Sequence, residues 1–374
     1  MLSRLGYAKH CPIITVAGTN GKGSSCHLLA DYWRRRGKKV GLFTSPHLMR
    51  FNERIQINQQ MAGDAEIAAA FQDIKNVQGD LELGYFHQVF LAAMLIFQDA
   101  QVDLLVLEVG IGGRLDAVNS VDADYVLITS IALDHTEILG EDREAIGFEK
   151  AGILRAGQIA VCGDPDAPFS VLNTAAKLGL NIWLAGRDFS LEDLAGYPRG
   201  FIPRQNALAV WALLQSMDSE FDAGIFAQAL GALHVPGRMQ VLALNPQILI
   251  DVAHNPHAAN YLADYLKSHP VSGQTYAIFS ALQDKDLVQI CRPLLSEVAH
   301  WFLIPLEHER AAGIQALQAA LPKNYSSCFE SMPVLYQGVM NKLMPEDRVV
   351  VFGSFMLVSL FLECHNQSIK ISNC

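Results

Sequence analysis

The chain has 374 residues, 51% hydrophobic and 18% charged, enough apolar surface for more than one core, and two domains are expected. The 38 acidic residues outnumber the 28 basic ones, giving a net charge of −10 with no polybasic block, which argues against a nucleic-acid partner and favours small-molecule substrates. Seven cysteines lie scattered without a CxxC pair, a pattern of free thiols in a reducing compartment, so a cytoplasmic location is expected.

In chain order, residues 13–17, 40–43, 102–109 and 125–130 are short, continuously apolar runs that alternate with helical stretches, as strands of a parallel sheet buried on both faces do. The fold class is α/β. Residues 24–36 place Leu28, Leu29, Tyr32 and Trp33 on one helical face and stop at Gly37, and 86–99 form a more apolar helix. The alternating stretch 50–63 predicts a small antiparallel excursion beside the main sheet. A Pro-Gly turn at 236–237 precedes a fresh strand, loop and helix, so the expected division is a P-loop domain over 1–236, a linker over 237–245 and a Rossmann-like domain over 246–374. The longest apolar run, 349–362, is broken by Gly353 and Ser354 and falls short of the ~20 residues of a bilayer span, so no membrane partner is expected.

Between the first strand and its helix lies "ITVAGTNGKGSS". A glycine-rich turn there lets backbone N–H groups approach phosphate oxygens at a helix N-terminus, and Lys22 adds positive charge for the outer phosphates. Gly18 and Gly21 are closer than in the usual P-loop, and Gly23 separates Lys22 from the hydroxyl of Ser24. The following strands end near Ser45, Glu108 and His135, and in an open parallel sheet such endings gather at one crevice. Glu108 closes a buried apolar run, where a carboxylate is costly unless paired or on a metal. Ser45 alone reads more simply as a turn or cap, and His135 alone reads equally well as a satisfied loop histidine. A magnesium site would take the hydroxyl and carboxylate readily, while the imidazole hints at a second metal position. Lys150 alone reads as a solvated lysine. In the second half, Asp251, His254 and Asn255 follow a strand, so Asp251 would accept ribose hydroxyls or else cap the next helix; Arg238 would reach phosphates or lie on the surface.

Together the segments "AGTNGKGSS", "FTSPHLMRFNERIQIN", "LEVGIGGRLDAVN", "TSIALDHTEILGEDREAIGFEKAGI", "RQNALAVWALL", "VPGRMQ", "DVAHNPHA" and "VFGSF" resemble the folylpolyglutamate synthase and dihydrofolate synthase family, a branch of the Mur-type ATP-dependent amino-acid ligases. The resemblance runs from about residue 5 to about residue 362. It implies that Thr19, Asn20, Gly21, Lys22, Gly23 and Ser24 hold the ATP phosphates, that Asn206, Arg238, Asp251 and His254 contact ATP, and that Ser45, Glu108 and His135 ligate magnesium, as two ions in the family pattern. It further implies that Lys150 is carbamylated, which turns a cation into an oxygen-rich metal ligand and reverses the solvated reading. Lys22, Glu108, His135 and Lys150 would then be catalytic, and Phe86, His87, Leu115, Asp116 and Ala117 would face the acceptor. The implied reaction activates a folate or dihydropteroate carboxylate with ATP as an acyl phosphate, which the amine of L-glutamate attacks, and the implied enzyme is a monomer.

Three departures accompany the resemblance, one being a connection between Trp183 and Gln205 that is short for the family. The chain opens on "MLSRLGYAKH" where the family carries a further N-terminal segment with a loop for dihydropteroate, and His87 stands where relatives usually carry a glutamate. Two other readings stay open at this point: an ATP-binding interaction module without ligase activity, and an amino-acid ligase acting on a peptidoglycan precursor.

Overall fold

The apolar runs at the head of the chain pair with one another because they have no polar face to turn to water; β1, β2 and β5 below are buried at every residue. In the computed structural model, which describes residues 1–198, 202–217 and 219–372, the first strands are β1 (Ile13–Ala17), β2 (Val40–Phe43), β3 (Ile55–Ile57), β4 (Gln60–Met61), β5 (Leu104–Glu108), β6 (Tyr125–Ile128), β7 (Ile159–Cys162) and β8 (Ile182–Leu184). They lie in the order β4-β3-β2-β5-β1-β6-β7-β8. Every pairing from β2 to β8 is parallel, while β3 and β4 form the expected antiparallel excursion after a short 3-10 turn, Phe51–Arg54.

Register decides what this sheet can do. Val16 of β1 lies opposite Glu108 of β5 and Leu127 of β6, and Phe43 of β2 lies opposite Leu107, so four carboxyl ends open on one edge. Helix Tyr85–Asp99 covers the sheet with an unbroken buried run from Val89 to Phe97. Phe43 anchors the contact, its ring centre 5.7 Å from those of Phe86 and Phe90.

The chain divides into two units at 233/234. The second holds β9 (Gln240–Leu244), β10 (Gln247–Asp251), β11 (Thr275–Phe279), β12 (His300–Leu303), β13 (Ser326–Cys328) and β14 (Arg348–Phe352), in the order β13-β12-β11-β14-β10-β9. The stretch expected as a linker, 237–245, instead carries β9. Its apolar Val241, Leu242 and Leu244 turn back at Asn245 and Pro246, and the antiparallel strand covers the edge of β10. The remaining pairings are parallel, and at their centre Trp301 meets Phe279 and Phe352 edge to face while Phe279 and Phe352 are tilted to each other, with ring separations of 5.1 to 5.8 Å. Six cysteines are free thiols, the seventh, Cys374, lying outside the described residues. Among the described residues no helix is long and apolar enough to cross a membrane.

Candidate functional site

The loop after β1 is shaped by contacts that leave no room for side chains at two glycines. Gly18 and Gly21 adopt positive φ, and a Cβ would collide with the Thr129 hydroxyl at Gly18 and with the Asn206 side chain at Gly21. Helix Arg204–Met217 thus brings Asn206 against the loop. Thr19 is tied to the exit of β6 through its N–H to the Ser130 carbonyl at 2.6 Å and its hydroxyl to the Ala132 carbonyl at 3.1 Å. The Thr129 hydroxyl donates to the Asn20 carbonyl at 2.8 Å.

Helix Lys22–Arg35 begins two residues before the expected start, so Lys22, Gly23 and Ser24 form its first turn, which contains no acidic residue. The positive end of the helix dipole is left for an anion. Lys22 Nζ donates to the carbonyls of Gly18 and Thr19 at 2.9 and 3.2 Å, which holds the ammonium over the same loop.

Glu108, only 4% exposed, ends β5 beside this turn. Its Oε2 accepts the Ser45 N–H at 2.9 Å and lies 3.4 Å from where a Cβ of Gly23 would sit. Ser45, Glu108 and the P-loop helix therefore meet, as the strand endings predict. His135 has a left-handed backbone and opens the short helix Thr136–Leu139, with its N–H donating to Asp134 Oδ1 at 2.9 Å. Lys150 departs from the solvated reading: helix Arg143–Ala151 turns Ile146, Gly147, Lys150 and Ala151 inward, leaving Lys150 3% exposed. Burial, then the positive charge of Lys22, pull its pKa down to about 7 against the opposing pull of Asp134. Among the described residues no group of three or more His, Cys, Asp and Glu is arranged to hold a metal.

Of the residues expected to face the acceptor, Phe86 and Asp116 come together, both reaching toward Gly110. Asp116 accepts the N–H groups of Gly110, Ile111 and Val118 at 3.1, 3.2 and 2.9 Å and so shapes the turn after β5. Burial holds its carboxyl above the usual range, while these N–H donors and the Lys22 charge pull the other way. Ala117 is buried beside it, Leu115 is 75% exposed, and His87 is exposed on the first turn of its helix. Sequence reasoning singled out neither Asp134, which acts on Lys150, nor the buried Arg54 beside β2. Both stand inside segments quoted above, but nothing in residue type marked them as buried.

In the second unit, Asp251 closes β10 and accepts the N–H groups of Met239 and Ala253 at 2.8 and 2.7 Å. Burial raises its pKa and the Arg238 charge opposes the rise. The helix cap is Asn255, not Asp251: it accepts the Ala258 N–H at 3.0 Å at the head of helix Pro256–Ser268. Arg238 stands 5.1 Å over the Phe355 ring, whose other neighbour is His254 at 6.1 Å, with His254 Nδ1 donating to the Val252 carbonyl at 2.8 Å. Arg238, Asp251 and His254 are thus gathered within this unit.

A glycine loop at the carboxyl edge of a mainly parallel sheet, followed by a second α/β unit, agrees with the class that the family matches show, the Mur ligases: residues 16–192 match the Mur ligase middle domain and residues 237–355 the Mur ligase glutamate ligase domain. The dihydrofolate synthase/folylpolyglutamate synthase of Escherichia coli (strain K12) is 38% identical over 375 residues, covering 96% of this chain and 88% of that protein. The enzyme of the same name from Bacillus subtilis (strain 168) is 30% identical over 96% of this chain and 92% of its own. The structure of E. coli FolC in complex with DHPP and ADP superposes with a TM-score of 0.94 at 37% identity, over 98% of this chain and 92% of that one. The Yersinia pestis enzyme complexed with AMPPNP and Mn ion gives 0.93 at 38% identity, over 98% and 92%. The chain belongs to the dihydrofolate synthase/folylpolyglutamate synthase family and is an ATP-dependent ligase. A module without ligase activity is thereby set aside, and a peptidoglycan precursor has no support among these relatives.

Proposed function

We propose that this ligase joins L-glutamate to dihydropteroate, to the γ-carboxylate of a reduced folate, or to both, releasing ADP and phosphate. The carrying observation is the meeting of the first turn of helix Lys22–Arg35 with Ser45 and Glu108 at the exits of β1, β2 and β5. In this reading Thr19, Asn20, Gly21, Lys22, Gly23 and Ser24 hold the ATP phosphates, and Asn206, Arg238, Asp251 and His254 also contact ATP. Phe86, His87, Leu115, Asp116 and Ala117 serve the acceptor.

The donor set fits magnesium. Glu108 offers a buried carboxylate, and the residue whose N–H binds it, Ser45, carries the hydroxyl. His135 and a carbamylated Lys150 complete the set for two ions. A pKa of about 7 leaves much of Lys150 as the free amine, the form that adds carbon dioxide, and the resulting carbamate supplies hard oxygens where a cation stood. Bound magnesium contributes charge neutralisation on the phosphoryl group.

A carboxylate is a poor acylating agent, so the γ-phosphoryl of ATP moves to it, giving an acyl phosphate and ADP. Lys22 neutralises charge along that path. The glutamate amine then attacks the acyl carbon, and the tetrahedral intermediate collapses to an amide with loss of phosphate. The chain contributes positioning and fixed electrostatics. We place the protein in the cytoplasm, a reducing compartment that suits its free thiols, and take it to act as a monomer, as the family resemblance implies. The test is incubation with ATP, magnesium, L-glutamate and either dihydropteroate or tetrahydrofolate, followed by mass analysis. Glutamyl addition to at least one acceptor is expected; addition to neither sinks the reading.

A further inference from the structure

The antiparallel excursion carries a guanidinium that none of these assignments uses. Arg54 precedes β3, whose Ile55 pairs with Phe43, and its carbonyl accepts the Thr44 N–H at 3.1 Å, so it is fixed beside the β2 exit that delivers Ser45. It is 8% exposed. Its Nε donates to His47 Nδ1 at 2.8 Å, and its Cζ stands 5.8 Å from the Tyr85 ring centre and 6.0 Å from that of Phe51. Burial pulls its pKa down, opposed by Tyr85, Glu108 and Glu53.

Those carboxylates act on Arg54 from a distance. Glu53 is committed to the backbone, accepting the N–H groups of Leu48, Met49 and Arg50 at 2.6 to 2.8 Å, and Glu108 accepts from Ser45. Among the described residues Arg54 forms no ion pair. Burial of a guanidinium without a paired anion is costly, and Tyr85, Glu108 and Glu53 offset only part of that effect on Arg54. With Nε occupied by His47, the fork left over is Nη1 and Nη2, two parallel donors that match the two oxygens of a carboxylate. Phe51 and Tyr85 wall the fork with aromatic faces, and Tyr85 is 60% exposed, so this wall is open to a ligand from solvent.

We infer that Arg54 binds the carboxylate of dihydropteroate through its two terminal nitrogens, with His47 as the positioning residue that orients the fork. An aromatic acid meets both features, its ring lying against Phe51 and Tyr85 and its carboxylate on the guanidinium. The fork would hold that carboxylate near Glu108, whose charge already acts on Arg54. This inference rests on the proposed ligase reading, because it requires an acceptor acid.

The test compares equilibrium binding of dihydropteroate and of its carboxamide counterpart in the presence of magnesium and a non-hydrolysable ATP analogue. The wild type is expected to prefer the acid by roughly 10- to 100-fold, the worth of a charge-assisted pair. Arg54→Met abolishes the preference, Arg54→Lys keeps part of it, and affinity for the ATP analogue is unchanged in both. His47→Asn, whose side-chain oxygen still accepts from Nε, retains more of the preference than His47→Phe; equal loss in the two removes the role given to His47. A wild type that binds both compounds alike, or does not bind dihydropteroate, overturns the inference, and so does a folded Arg54→Met protein that keeps the preference. If Arg54→Met does not fold, the wild-type comparison and Arg54→Lys decide. Glutamate ligation by the wild type is scored separately: its absence strikes the functional reading, whereas ligation with the preference unmoved by substitution strikes Arg54 alone.

Discussion

An amine buried to 3% exposure must shed its proton or find an anion, and Lys150, flanked by Lys22 and Asp134, lies near the balance point at a pKa of about 7. That balance makes the proposed carbamate accessible at neutral pH. With isotope-labelled bicarbonate, a carbamate carbon signal is expected in the wild type and absent from Lys150→Arg, and stripping carbon dioxide should lower turnover roughly 10-fold or more until bicarbonate is restored. Lys22 and Glu108 differ in what they hold. Lys22→Ala removes charge from the loop, so turnover should fall by about 100-fold or more while the unfolding midpoint barely moves. Glu108→Ala should cost as much activity and in addition about 1–3 kcal/mol of stability, because the Ser45 N–H loses its acceptor. Turnover and denaturant titration of each purified variant check both parts.

At the scale of elements, helices Met332–Met340 and Phe355–Ser372 are joined by a polar contact inside an apolar interface. The Tyr336 hydroxyl lies 2.8 Å from His365 Nδ1, the Ser368 hydroxyl donates to Tyr336 at 3.0 Å, and the Phe361 ring stacks on His365. Burial lowers the His365 pKa below its ordinary 6.5. A histidine whose pKa is depressed by folding is protonated first in the unfolded chain, so its contribution holds above pH 6.5 and is lost as the pH falls below 6.5 toward the folded value. Protonated Nδ1 also ceases to accept from Tyr336. Urea titrations on either side of pH 6.5 should therefore show an acid-side loss of stability in the wild type that is shallower in His365→Phe.

For the whole molecule, each unit has its own aromatic centre, and removing a ring from either should be felt throughout that unit. Phe97→Ala, at a fully buried site in the helix over the first sheet, is expected to cost ~3–5 kcal/mol, read from denaturant unfolding and from lost amide protection in β1 and β5. The parts of this architecture that were legible in the sequence are those written locally. Continuous apolar strands, a glycine loop before a helix and polar residues at strand exits identify the sheet and the convergence of Ser45 with Glu108. Contacts between distant segments were not legible. The inward turn of Lys150 depends on what the helix packs against, the pairing of β9 depends on the open edge of β10, and the fork of Arg54 depends on His47 and Tyr85 closing around it. The Pro-Gly and Asn-Pro pairs flanking β9 mark turns correctly, but they cannot say that the residues between them find a strand partner.

Asn206 occupies the volume that any side chain at Gly21 would need. The two positions are therefore coupled, for a side chain at 21 requires the Asn206 amide to move aside or shrink, and both residues belong to the proposed ATP contacts. A substitution at 21 must also adopt the left-handed backbone there, φ 86°, which asparagine tolerates better than other side chains. Anyone diversifying the phosphate loop by directed evolution would have to vary 206 together with 21.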